Sequence, residues 1–109
     1  MDVIDLVEAG EAFVEQGDIP KAYSKFEEAL TLAPEDPQLY NRLGMLEMSR
    51  GEPAKAMTHF TEACQLAPDV SRYHMRLGDS LQRLEKFEEA IHAYARSLEL
   101  EPRNAPAWN

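Results

Sequence analysis

The 109 residues predict an all-α solenoid of three helix-turn-helix repeats, and a single spacing carries that prediction. Ala22, Ala56 and Ala90 recur every 34 residues, and each is followed four residues later by an aromatic: Phe26, Phe60 or Tyr94. Each aromatic is followed eight residues later by a proline: Pro34, Pro68 or Pro102. Gly10, Gly44 and Gly78 keep the same register upstream. A fixed period of this length marks a stack of like units, none able to bury its apolar face alone.

The first unit opens on a helix expected over residues 3–15, where Leu6, Ala9, Gly10 and Phe13 form one stripe at helical spacing. Gly17 ends it, as a left-handed cap requires. Asp18 caps the helix expected over 19–32, which Pro34 stops. In the second unit Asp36 and Pro37 start a helix over 37–49, with Tyr40, Leu43 and Gly44 on its buried stripe. Gly51 ends it, Pro53 sits in the first turn of a helix over 53–66, and Pro68 stops that one. The third unit reads as helices over 71–83, with His74, Leu77, Gly78 and Leu81 on the stripe, and 87–100, stopped by Pro102. A glycine inside a helix costs about 1 kcal/mol against alanine. Gly10, Gly44 and Gly78 are therefore expected where the paired helix comes close, a need that Ala22, Ala56 and Ala90 also serve. Ala107–Trp108–Asn109 falls in register with Leu39–Tyr40–Asn41. Residues 105–109 thus read as the start of a further helix, too short to hold itself together, and the chain is expected to be cut from a longer array.

Composition narrows the function. A chain of this length fits one domain over residues 1–109. Cys64 is the one cysteine and cannot form an internal disulfide, which suits a reducing compartment. No stretch approaches the ~20 apolar residues of a membrane span, so the expected location is the cytoplasm, with no membrane partner. The net charge of −9 is uneven. Residues 1–36 carry ten acids and two bases, residues 37–70 four and three, and residues 71–109 six of each. An acidic chain repels phosphate backbones, so nucleic acid is not an expected partner. Glu8, Glu11 and Glu15 share a helix face, but no His or Cys joins them at ligand spacing, and they read as a solvated wall. His74 is expected as a half-buried filler, His59 and His92 at the surface, and Cys64 as a structural thiol. No phosphate loop and no nucleophile elbow is present. Catalysis has no residues to carry it, and no cofactor or metal is expected.

The repeat resembles the tetratricopeptide repeat family, whose pattern is an aromatic, Leu–Gly, a second aromatic, then Ala, Phe and Pro at fixed offsets. The first aromatic place holds Leu6, Tyr40 and His74, and the second holds Phe13, Glu47 and Leu81. The Leu–Gly place holds Ala9–Gly10, Leu43–Gly44 and Leu77–Gly78. The match covers residues 3–104 as repeats 3–36, 37–70 and 71–104. Leu6, Glu47 and Ser97 (in place of alanine) depart from the pattern but leave the period intact. Glu47, in a place usually apolar, is expected to tilt out to water beside Met48.

The resemblance implies a right-handed superhelix whose stacked first helices line a concave wall that binds extended peptides. On that implication the groove is a stripe through Ile4, Glu8, Glu11 and Glu15, then Gln38, Arg42, Met45 and Ser49, then Arg72, Arg76, Asp79 and Arg83. It runs from acidic through methionine-rich to basic. The candidate peptide-binding residues are Glu8, Glu11, Arg42, Met45, Met48, Arg72, Met75, Arg76 and Arg83. Methionines adapt to apolar anchors, arginines orient acidic groups, and the acidic end suits a basic segment. Arg42 is also expected to pair with Glu8 on the neighbouring first helix. The implied function is a non-catalytic scaffold that holds a peptide or helix of a partner protein.

A subset of the family binds the acidic C-terminal tails of heat-shock chaperones through a two-carboxylate clamp of five places. Here those places hold Val7, Glu11, Arg42, Arg72 and Arg76, and only the last two match. Such tails are expected to bind poorly, since Glu11 repels a carboxylate. Two other readings stay open. Ile91, Tyr94 and Leu98 on the last helix are expected to expose an apolar strip, partly covered by Trp108, through which copies could pair into a homo-oligomer. The chain could also be an accessory domain of a larger enzyme whose chemistry lies beyond residue 109.

Overall fold

In the computed structural model, which describes residues 1–101, six helices succeed one another. They are α1 (Val3–Glu15), α2 (Ile19–Leu32), α3 (Pro37–Ser49), α4 (Pro53–Leu66), α5 (Ser71–Arg83) and α6 (Phe87–Leu100), on the spans the sequence predicts. The described residues contain no strand. Each first helix folds back on the second helix of its own repeat, and α2 and α4 then dock against α3 and α5 of the next. Trp108 and the other residues expected to start a further helix lie outside the described residues. Among the described residues no helix is long and apolar enough to cross a membrane.

The helix ends arise from local chemistry. Asp2, Asp18 and Asp36 each accept a backbone N–H in the first turn of α1, α2 and α3, at 2.9, 3.2 and 3.0 Å. Gly17 and Gly51 adopt φ of +79° and +75° after α1 and α3. After α5 the same place is Glu85, held at φ 61° without a glycine. A left-handed side chain costs roughly 1–2 kcal/mol, so the third turn stores strain that the first two avoid.

The interior explains the repeating glycines. A Cβ on Gly10 would lie 2.5 Å from the ring of Phe26, one on Gly44 2.5 Å from Phe60, and one on Gly78 2.7 Å from Tyr94. Each aromatic therefore passes directly over a bare stretch of first-helix backbone, beside the buried Ala22, Ala56 or Ala90. Tyr94 thus packs inside its own repeat and does not join an exposed strip as expected, because it holds the place of Phe26 and Phe60. Of that strip Leu98 is half-buried, while Ile91 stands 66% exposed. Ser97 is buried where Ala29 and Ala63 sit in the earlier repeats, and its hydroxyl lies 2.9 Å from that of Ser71. His74 donates from Nε2 to the Pro68 carbonyl at 2.9 Å, as the Tyr40 hydroxyl donates to the Pro34 carbonyl at 2.9 Å. The histidine therefore reproduces the aromatic's polar anchor. Cys64 is buried, and desolvation pushes its thiol up to about 11, so it stays an inert thiol at neutral pH.

Candidate functional site

The face made by α1, α3 and α5 carries three adjoining hollows. Between α1 and α3, a hollow of about 310 Å³ is walled by Glu11, Val14, Glu15, Arg42 and Met45, with Phe26 and Leu46 beneath. Between α3 and α5, one of about 140 Å³ is lined by Met45, Met48, Arg76 and Asp79 over Phe60. At the end of α5, a wider one of about 670 Å³ is lined by Met48, Asp79, Gln82, Arg83, Glu85 and Phe87. The aromatics that cross beneath the glycines form the floor of the first two, so the same packing that pairs the helices also shapes this face.

Electrostatics differ along it. Arg42 reaches across to Glu11 at 2.7 Å, and its guanidinium sits 5.9 Å from the ring centre of Phe26. The expected partner was Glu8. Glu8 and Arg42 hold equivalent places in successive repeats, and the stagger between stacked first helices carries Arg42 one turn further along α1. Arg76 makes no ion pair among the described residues, and its Nε is buried without a hydrogen-bond partner. The Oδ1 of Asn41 is buried and unpartnered likewise, while its Nδ2 lies 3.7 Å from the sulfur of Met45. Tyr94 donates its phenolic O–H to Asp79 Oδ1 at 2.6 Å and lies 3.0 Å from the side-chain Oε1 of Gln82. Burial, with the Asp79 bond and charge behind it, raises the phenol's pKa, so Tyr94 remains a donor.

Of the nine candidate residues, six gather here: Glu11, Arg42, Met45, Met48, Arg76 and Arg83. Glu8, Arg72 and Met75 stand outside these hollows. Glu8 is exposed on α1, Met75 is half-buried on α5, and the exposed Arg72 lays its guanidinium 5.2 Å from the ring of Tyr73.

A second feature lies on the opposite face, between α2 and α4. Glu47 is 2% exposed, against the expectation that it tilts to water. Its carboxylate accepts from the Tyr23 hydroxyl at 3.4 Å and meets Arg50 at 3.3 Å, while Arg50 also lies 5.3 Å from the Tyr23 ring centre. These partners hold the acid inside a place usually apolar. His59, expected at the surface, is half-buried beside it, with Nε2 3.3 Å from the Tyr23 oxygen and its ring 6.4 Å from that of Tyr40. Burial lowers the pKa of His59 below the ordinary 6.5, partly opposed by the charges of Glu47 and Glu27. His92 is exposed, as expected. These side chains line a hollow of about 560 Å³ with Lys55 and Thr58 at its edge. The acid at position 47 was its only sequence signal. Among the described residues no three His, Cys, Asp or Glu side chains come together as a metal requires.

Family models described as tetratricopeptide repeat match residues 7–71 and 71–104. No curated protein sequence matches significantly. Among solved structures, the first such domain of Spaghetti (RPAP3), bound to the HSP90 peptide SRMEEVD, is 27% identical with a TM-score of 0.90. The match covers 94% of this chain and 82% of that one. The Sgt2 domain from Aspergillus fumigatus is 23% identical with a TM-score of 0.88, covering 96% of this chain and 70% of that one. MamA is 20% identical with a TM-score of 0.88, covering 94% of this chain and 60% of that one.

Proposed function

The chain belongs to the tetratricopeptide repeat family, and on that premise we propose that it is a non-catalytic scaffold that holds a peptide or helix of a partner protein against its first helices, in the cytoplasm. The observation that carries the proposal is the run of hollows floored by Phe26 and Phe60 and walled by Met45, Met48, Arg76 and Asp79. Thioether and aromatic walls take apolar anchors without demanding one shape, and the unpaired Arg76 supplies orientation. The likeness to Spaghetti's first domain, which holds its peptide at 27% identity, supports the same mode of use. The ligand differs in chemistry. Arg42 is already engaged by Glu11, and Asp79 stands beside Arg76. A tail such as SRMEEVD would bring its carboxylates against both acids, and its binding is expected to be weaker than about 100 μM.

Peptides selected from a random library on this chain test the proposal. They are expected to shift the methyl resonances of Met45 and Met48, and to lose binding in the Met45→Lys/Arg76→Glu double variant at unchanged helicity. Selected peptides that shift only α2 and α4, or that bind the double variant equally well, would refute it.

Self-association is a second reading, and the exposure of Ile91 and Phe87 on α6 favours it, since Met57 at the equivalent place to Ile91 is half-buried against the next repeat. Sedimentation that rises with concentration and returns to monomer with Ile91→Glu supports it, and a concentration-independent monomer ends it. Tyr94 is unsuited to that test, because its ring packs within the fold.

A further inference from the structure

We propose that the hollow between α3 and α5 is a subsite for a side-chain carboxamide, that of Gln or Asn in a bound peptide. The inference rests on the groove reading and names the ligand chemistry at one point along it. The hollow places a guanidinium and a carboxylate side by side, Arg76 and Asp79, with Met45, Met48 and Phe60 as the remaining walls. The two charged groups are not paired with each other. Arg76 Nε is buried and lacks an acceptor. Asp79 is held by the Tyr94 hydroxyl at 2.6 Å, which uses one of about four acceptor positions on the carboxylate.

Each class of ligand group meets a different fate there. A carboxylate satisfies Arg76 but faces the fixed charge of Asp79. An ammonium satisfies Asp79 but faces Arg76. An apolar side chain fits the walls and leaves the buried Nε unsatisfied, a loss that native structures avoid. A primary amide is neutral and planar, and offers a carbonyl to Arg76 Nε and an N–H to Asp79. The volume of about 140 Å³ equals four to five water shares of roughly 30 Å³, room for an amide and its one or two methylenes. Asn41, whose Nδ2 lies 3.7 Å from the Met45 sulfur, carries the other unsatisfied buried polar atom near this hollow, its acceptor Oδ1.

The arrangement belongs to the third repeat alone. At the place of Asp79 the earlier repeats carry Glu11, tied to Arg42, and Met45. At the place of Tyr94 they carry Phe26 and Phe60, which have no hydroxyl to hold an acid in position. In the third repeat the Tyr94 hydroxyl is what holds Asp79 in place.

The test uses the 109-residue chain, with 13C-methyl methionine and 15N labels. The probes are four capped pentapeptides, acetyl-Ala-Leu-Xaa-Leu-Ala-amide, with Gln, Glu, Lys or Leu at the centre. The Gln peptide is expected to move the Met45 and Met48 methyls and the Arg76 Nε–H, and to bind about 10-fold tighter than each of the other three. In the near-isosteric Asp79→Asn variant the Glu peptide is expected to match or exceed the Gln peptide. Equal or tighter binding of the Glu peptide by the unaltered chain, at the same resonances, overturns the amide assignment and leaves the groove reading standing. Silence of both methyls and of Arg76 with all four peptides overturns the groove reading and this inference with it.

Discussion

Gly44→Ala tests the packing that builds both the repeat and the face it presents. Two terms of opposite sign compete. Alanine gains about 1 kcal/mol of helix propensity over glycine in a helix interior. Against that, the added methyl carbon would stand 2.5, 2.7 and 2.8 Å from three ring atoms of Phe60. Relief requires a shift of several tenths of an ångström or more, yet Phe60 is fully buried and sits beside Ala56, which is buried too. Overpacking of this kind costs typically 1–3 kcal/mol. The ring cannot swing clear without opening the floor of the α3–α5 hollow, so the upper part of that range applies. The net loss is about 1.5 kcal/mol, or roughly 6–7 °C in Tm for a domain of this size. Urea unfolding followed by circular dichroism measures it, with Gly44→Ala/Phe60→Leu as the rescue. The smaller leucine should recover part of the loss that Gly44→Ala imposes. A Gly44→Ala protein as stable as the parent, or a double variant whose losses simply add, would show that close approach is not what keeps glycine at this place.

The remaining contacts set three further outcomes. Glu47→Leu is expected to hold or raise stability by up to about 1 kcal/mol in urea titrations, because a buried acid is exchanged for an apolar side chain while Arg50, 43% exposed, remains in water; a loss above about 2 kcal/mol would show the Tyr23–Glu47–Arg50 contacts to be net stabilising. His59 takes up a proton less readily folded than unfolded, since burial lowers its pKa; the unfolded chain therefore binds more protons as pH falls through about 6.5, and stability declines from pH 7.5 to 5.5. His59→Gln should flatten that slope in unfolding curves at the two pH values, and an unchanged slope would rule His59 out as its source. For an acidic C-terminal peptide, Glu11→Asn should tighten binding about 10-fold by releasing Arg42 and removing a like charge, measured by calorimetry; no change would mean that the pair does not obstruct the groove.

How much was legible in the sequence depends on whether a feature arises within one repeat or between two. Helix ends are local: Gly17 and Gly51 adopt the left-handed backbone, and Asp18 and Asp36 cap α2 and α3, so the boundaries were readable residue by residue. Glu85 shows that the signal is sufficient without being necessary, because the packed repeat holds a non-glycine at φ 61°. The pairing of Gly10, Gly44 and Gly78 with an aromatic was also within reach, since both partners lie in one unit at a constant separation. Tyr94 was misplaced although its register with Phe26 and Phe60 was visible; an unpaired terminal helix invites the assumption that its large side chains face outward.

Glu47 and Arg42 mark where local reading stops. Glu47 is held in part by the Tyr23 hydroxyl, 24 residues earlier on a helix of the preceding repeat, and the same hydroxyl lies beside His59, 12 residues later. No spacing within one repeat could place those groups together. Arg42 finds Glu11 and not Glu8 because successive first helices are staggered, an offset that arises only when repeats stack. The face itself is of this second kind. Its period is that of the fold, but what it can bind is set by side chains that repeat nowhere. Asp79 replaces Met45 and Glu11, and Tyr94 replaces two phenylalanines. Each swap is tolerated because the scaffold's packing uses the ring and the bare glycine, and neither the hydroxyl nor the acid. Binding specificity can therefore drift at the tips of these side chains while the architecture stays constant, and a family resemblance can settle the fold of such a chain without settling its ligand.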